Sequence, residues 1–258
     1  MHPTLNIAVK AARRAGGIIT RATHDIDKIK VSAKRDKDFV TEIDRAAEEA
    51  IIRVLREAYP DHAILAEESG SSGESDYLWI IDPLDGTTNY VHGFPYYAVS
   101  IGLEHQGEMI AGVIFDPVRD ELFLASKGGG ASLNRRPLRC SEIGSLDQSL
   151  VIASLPVGTE ATDLAVKRFL TVLPHAQTVQ RTGSAAMNLA YLAAGRLEGF
   201  WSSSLKPWDM AAGVLLVTEA GGKITRMDGG PFELRRADLL ATNGSGVHAE
   251  LCNLLSSK

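Results

Sequence analysis

The chain has little cysteine, no long apolar run and no surplus of positive charge, and each shortage removes a class of function. Two cysteines in 258 residues, Cys140 and Cys252, are too few for a disulfide framework and are expected to be reduced thiols of a cytoplasmic protein. The seven histidines show no HExxH or paired-ligand spacing, so zinc has no sequence support. No stretch approaches the ~20 apolar residues of a membrane span. The N-terminal MHPTLNIAVKAARRAGG is broken by Lys10, Arg13 and Arg14, which argues against a secretory leader and for a soluble, cytoplasmic chain with no membrane partner. Acids outnumber bases, 32 to 27, for a net charge of -5, so no global basic field marks a nucleic-acid binder. One local basic run, Lys28–Lys37 with Lys30, Lys34 and Arg35, reads as solvated surface.

Apolar material is plentiful: 45% of residues are hydrophobic, enough for one large core or two closely packed halves. No repeat, low-complexity tract or linker divides the chain, so residues 1–258 are expected to form one domain with two lobes, about 1–145 and 146–258. Apolar periodicity predicts helices over Leu5–Ala22 and Thr41–Ala58, the second stopped by Tyr59-Pro60. β-prone runs follow at His62–Glu67 and Tyr77–Asp82, with the Ser/Gly stretch Gly70–Ser75 read as a flexible loop between them. Ala98–Glu104, Met109–Phe115 and Glu121–Ala125 read as an antiparallel meander, with a hairpin turn at His105-Gln106-Gly107. Beyond it, strands near Leu150–Ser154, Leu197–Trp201, Lys223–Arg226 and Leu239–Ala241 alternate with helices. Those helices are predicted near Thr162–Leu173, Ala185–Ala194, Met210–Ala220 and Val247–Leu255. Mixed sheets separated by helix layers, an α/β layered fold, are the natural solution.

The most informative stretch is Trp79–Tyr90, WIIDPLDGTTNY. Trp79, Ile80 and Ile81 read as a buried strand, so Asp82 sits where that strand leaves the core. Pro83 cannot continue a sheet ladder and disfavours helix at Asp82, so the chain must turn, and Asp82 and Asp85 can point into one pocket. Gly86-Thr87-Thr88 looks like a helix opening whose free amides favour an anion. Carboxylates for a hard cation beside amides for a phosphate suit metal-assisted phosphoryl hydrolysis. A turn with capping aspartates explains the same stretch equally well on its own. Glu67 and Glu68 end a strand-like run, Asp209 stands at a helix start, and Asp44 completes a capping-box pattern with Thr41; each has a bland reading, and only their joint occurrence favours a site.

Four strings carry a specific resemblance: AEESG (66–70), WIIDPLDGTTNYVHGFP (79–95), RTGSAA (181–186) and PWDMAAGVLLVTEAGG (207–222). They resemble the inositol monophosphatase family, most of all its bacterial SuhB-like branch, and FVTEIDRAAE (39–48) with DPVRDELFLASKGGGASLN (116–134) extends the likeness along nearly the whole chain. The resemblance implies a five-layer α/β/α/β/α sandwich of the inositol monophosphatase and fructose bisphosphatase type, a homodimer, and a Mg²⁺-dependent, lithium-sensitive phosphatase of myo-inositol monophosphate or a related sugar or nucleotide phosphate. It implies that Glu67, Asp82 and the Leu84 carbonyl hold one Mg²⁺, that Asp82, Asp85 and Asp209 hold a second, and that Glu67 helps hold a third, weaker ion. It further implies that Thr87, bonded to Asp44, orients the attacking water, with Glu67 also in the catalytic set. Gly86 and Thr87 would bind phosphate, while Gly183, Ser184, Ala185, Ser202 and Asp209 would line the substrate side.

Ser202 departs from the family, which commonly has a glutamate seven residues before the WD aspartate to bind sugar or inositol hydroxyls. Hydrogen bonds to charged groups contribute roughly 1.5–3 kcal/mol, so inositol selectivity is expected to weaken tens-fold. Nearby Lys206 offers affinity for a more anionic substrate. Some members of the branch associate with transcription and RNA-processing machinery, and Lys28–Lys37 with Arg135-Arg136 are the only features suited to such a role.

Overall fold

The apolar stripe of the N-terminal segment coils into α1 (Pro3–Thr23), which buries Leu5, Ala8, Ala12, Ala15 and Ile19. Helix α2 (Glu42–Ala58) starts at a capping box. The Thr41 hydroxyl oxygen accepts the Ile43 and Asp44 amides, and the Asp44 carboxylate returns to the Thr41 amide at 2.8 Å. The computed structural model describes residues 3–23, 31–35 and 38–256, with side chains from 3–23 and 41–256. Between the helices, β1 (Val31–Arg35) pairs antiparallel with β2 (Asp38–Thr41), a hairpin the sequence did not announce. The basic run Lys28–Lys37 lies outside the described residues except for the backbone of Val31–Arg35.

Eight strands form the first sheet: β3 (Ala63–Ala66), β4 (Gly70–Ser72), β5 (Tyr77–Asp85), β6 (Ala98–His105), β7 (Glu108–Asp116), β8 (Glu121–Ser126), β9 (Gly130–Leu133) and β10 (Arg136–Pro137). Their order is β10-β9-β8-β7-β6-β5-β3-β4, and only β3–β5 is parallel. The period-2 pleat sorts the side chains by face. Trp79, Ile81, Val99, Ile101, Val113 and Leu124 pack under α1 and α2. Ala98, Ile114, Phe123 and Ala125 face the opposite way.

Their partners on that second face are α5 (Ala185–Ala193) and α6 (Pro207–Glu219), and both helices also cover a second sheet. That sheet holds β11 (Leu150–Ser154), β12 (Thr178–Gln180), β13 (Gly199–Ser202), β14 (Lys223–Thr225) and β15 (Leu239–Thr242), in the order β12-β11-β13-β15-β14. Ile152, Phe200, Leu239 and Ala241 point inward to α5 and α6, whereas Val151, Ala153, Trp201 and Leu240 point outward. The outward face is covered by α7 (Gly246–Ser256), with Phe169 and Val172 of α4 (Leu164–Val172) in the same cluster. The five layers α/β/α/β/α are thereby accounted for. A central helix layer between two sheets is buried on every side: Ala185 to Ala190 are all buried, and the one polar residue among them, Asn188, accepts the Tyr96 and Thr182 hydroxyls at 2.9 and 2.6 Å.

Three sequence readings change. Gly70–Ser75 is not wholly loop, because Gly70–Ser72 adds an edge strand to β3. The strand at Trp79 does not end at Asp82 but runs to Asp85 through a bulge, with one more residue on β5 than on β6 between the pairs Asp82–Ser100 and Asp85–Ala98. The helix expected over Met210–Ala220 begins at Pro207, because proline suits the first helical turn. The short β9 and β12 leave no signal in the sequence, because three or four residues carry no legible period.

Candidate active site

The bulge in β5 assembles the site. Glu67 extends β3 by donating its amide to the Ile81 carbonyl at 3.1 Å, which places it beside Asp82 on the neighbouring parallel strand. Asp82 is buried, and its Oδ1 accepts the Leu84 amide at 3.0 Å, folding the chain around Pro83. Gly86 then takes φ 101°, and a Cβ there would stand 3.0 Å from the Tyr96 carbonyl oxygen; both facts demand glycine. Thr87 opens the short helix α3 (Thr87–Val91).

Asp82, Asp85 and Asp209 each offer a carboxylate oxygen, and the three lie within 4.8 Å of one another. They come from a strand, the strand's end, and the first turn of α6. Asp209 is the third residue of that turn rather than its cap, and it reaches back to the Lys206 amide at 2.7 Å. Ser100 on β6 steadies the same turn through the Trp208 carbonyl at 3.2 Å. Glu67 shares a hydrogen bond with Asp82, and its charge is felt by Asp82, Asp85 and Asp209 alike.

The crowding of these acids has an electrostatic consequence. Burial, then the charges of Glu67, Asp85 and Asp209, push Asp82 well above the ordinary carboxylate range. Burial and the Asp85 charge push Asp209 the same way. Asp85 rises to about 7 through burial, even though Ser184 and Ala186 hydrogen bonds pull it down. Four oxygen-bearing acids that repel one another fit a hard cation, and the donor set is the one magnesium-like ions prefer.

Around this cluster the other anticipated residues fall into place unevenly. The Thr87 hydroxyl lies 2.8 Å from Asp44 Oδ1 and 3.1 Å from the Leu84 carbonyl. Asp44 is fully buried; its second oxygen caps α2 while the first accepts the Thr87 hydroxyl. Ser184 does not stand free for a ligand: it caps α5 and donates to Asp85 Oδ2 at 2.7 Å, alongside the Ala186 amide at 2.6 Å. Gly183 packs against Asn89, where a Cβ would come within 2.9 Å of the amide group. Ser202 is buried at the end of β13, with its hydroxyl accepting the Ser204 amide at 3.3 Å. Asn89, inside the same motif, has a role that only the tertiary contacts show. Its side chain donates to the Tyr96 and Thr182 carbonyls at 2.7 and 2.8 Å, tying the Asp85 turn to the loop before α5.

Comparison with known proteins identifies the family. The model of the inositol monophosphatase family matches residues 1–258. The Nus factor SuhB of Pseudomonas aeruginosa is 47% identical over 94% of this chain and 92% of its own length. The extragenic suppressor protein suhB of Bartonella henselae superposes with a TM-score of 0.94 at 39% identity, covering 98% of both chains. The inositol monophosphatase of Anabaena (Nostoc) gives 0.87 at 38% identity, covering 98% of this chain and 95% of that one.

Proposed function

The chain belongs to the inositol monophosphatase family, and from that premise we propose that it is a Mg²⁺-dependent phosphatase whose leading substrate is myo-inositol monophosphate. The observation that carries the reading is the convergence of Asp82, Asp85 and Asp209 within 4.8 Å beside Glu67. Glu67, Asp82, Asp85, Asp209 and the Leu84 carbonyl would hold two Mg²⁺ ions, with a third, weaker ion at Glu67. When bound, such ions act as Lewis acids, make water a nucleophile near neutral pH and stabilise the leaving oxygen.

The chain's own residues do the positioning. Thr87 Oγ1 donates a hydrogen bond to Asp44 Oδ1, which leaves its own lone pairs available to accept a hydrogen bond from, and so orient, the attacking water. The amides of Gly86 and Thr87 supply donors for phosphate oxygens. Gly183, Ala185, Ser202 and Asp209 border the alcohol side, and Ser184 acts on it through Asp85. The same reading expects a homodimer, which sedimentation checks.

A phosphate-release panel over inositol, glycerol, fructose and adenylate phosphates at saturating Mg²⁺ tests the proposal. Asp85→Asn and Asp209→Asn should each lower turnover by at least about a hundredfold, the upper range for lost support at a metal site. Near-normal turnover in both would sink it. A second reading, a binding role beside catalysis, is favoured by the name Nus factor borne by the Pseudomonas aeruginosa relative and by Arg135 and Arg136, both exposed beside the β9–β10 turn. Rescue of a deletion strain by Asp85→Asn would support that second role.

A further inference from the structure

Glu48 is a buried carboxylate that the chemistry above leaves unused. It lies four residues beyond Asp44 on α2, the spacing that puts both side chains on one helix face. Only 3% of it is exposed, and each carboxylate oxygen accepts a backbone amide: Oε2 takes Glu68 and Oε1 takes Ser69, both at 2.8 Å. Those are the two amides that immediately follow Glu67. On the other side of the turn, the Glu67 amide itself is held by Ile81 at 3.1 Å.

We propose that Glu48 is a positioning residue of the metal site, fixing the turn that presents Glu67 to Asp82. This rests on the metal-dependent phosphatase reading and deepens it. One helix thereby governs two parts of the centre: Asp44 orients Thr87, and Glu48, one turn on, orients Glu67. The bond type suits the task. A carboxylate spanning two consecutive amides makes two charge-assisted hydrogen bonds with fixed geometry, which sets the direction of the turn as well as its stability. A cavity of about 320 Å³ opens beside the clamp, lined by Arg45, Glu48, Glu49, Ile52, Glu68 and Ser69. Water can therefore reach the two amides when Glu48 is shortened, so truncation loosens the turn without stranding them unsatisfied.

The test is Mn²⁺ binding to the metal-free full chain, followed by the electron paramagnetic resonance signal of the free ion, with Tm measured in parallel. Glu48→Ala should weaken Mn²⁺ affinity by about tenfold or more, as for other groups that orient metal ligands. Glu48→Gln keeps one acceptor oxygen and should fall between it and wild type. Glu49→Gln, exposed on the same helix, should match wild type, and kcat of the Glu48 variants at saturating metal should stay within a few-fold. A purely structural Glu48 would lower Tm and leave affinity unmoved. Wild-type affinity in the Glu48 variants overturns the proposal while the phosphatase reading stands; if the alanine variant fails to fold, the glutamine variant decides. Absence of Mn²⁺ binding in the wild type overturns both.

Discussion

Asp85 is held by Ser184 and Ala186 through the single oxygen Oδ2, and its pKa is nevertheless raised from 3.8 to about 7. A carboxyl group whose folded pKa exceeds its unfolded value stabilises the fold while it is protonated, below about pH 4. That contribution is lost as pH climbs through about 7, where the unfolded chain releases its proton more readily. Asp82 and Asp209 shift in the same direction. Metal-free protein is therefore expected to lose Tm between about pH 4 and 7, and Asp85→Asn, which keeps an acceptor oxygen, should flatten that loss. Calorimetry of both proteins across the range checks it, and parallel curves would contradict the crowding of these acids. Ser202 yields a second expectation. Ser202→Glu should raise preference for inositol over glycerol phosphate tens-fold, the value of a regained charged hydrogen bond. Because Ser202 is buried, Tm will fall as well, so the ratio of kcat/KM values is the readout.

At the scale of elements, the placement of Asp209 depends on how closely α6 approaches the first sheet. Gly102 and Gly112 face each other across β6 and β7, directly beneath Ala211 and Ala212. A Cβ on Gly112 would stand 2.8 Å from the Ala212 carbonyl oxygen, and backbone cannot step aside as a flexible side chain can. Gly112→Ala should cost about 1–3 kcal/mol by overpacking and should also weaken metal binding, because it lifts the first turn of α6. Thermal unfolding and Mn²⁺ titration measure the two effects, and a stability loss without loss of affinity would separate helix packing from the site. Neither glycine stood out in the sequence, since a glycine in a strand marks close approach only once its neighbour is known. The capping box of α2 was legible, by contrast, because it depends on residues three apart. The bulge after Asp82 was half legible: Pro83 announced an interruption, but the resumption of pairing at Asp85 depends on β6.

For the molecule as a whole, α5 and α6 bury side chains against both sheets, so a single apolar cluster joins residues from Tyr96 to Ala241. No helix among the described residues is long and apolar enough to cross a membrane. With its largest core shared between both halves, the chain is expected to unfold in one cooperative step, with calorimetric and van't Hoff enthalpies equal. Two resolved transitions would mean that about 1–145 and 146–258 stand independently. Added Mg²⁺ should raise the midpoint more at pH 8 than at pH 5, where protons compete for the same carboxylates.

Residue order alone named the acids that converge, Glu67, Asp82, Asp85 and Asp209, and the glycine and threonines that follow Asp85 beside them. Local chemistry and the dihedral limits at proline and glycine mark the Asp82–Thr88 turn, and the separate acids were joined to it by their joint occurrence and by the family resemblance. The tertiary structure decided which groups hold the acids in place. Ser184 supports Asp85, Glu48 grips the turn after Glu67, and Asn89 ties two loops together across 93 residues of chain. Such contacts join positions far apart in sequence, and a hydrogen bond between them exists only once the layers have packed.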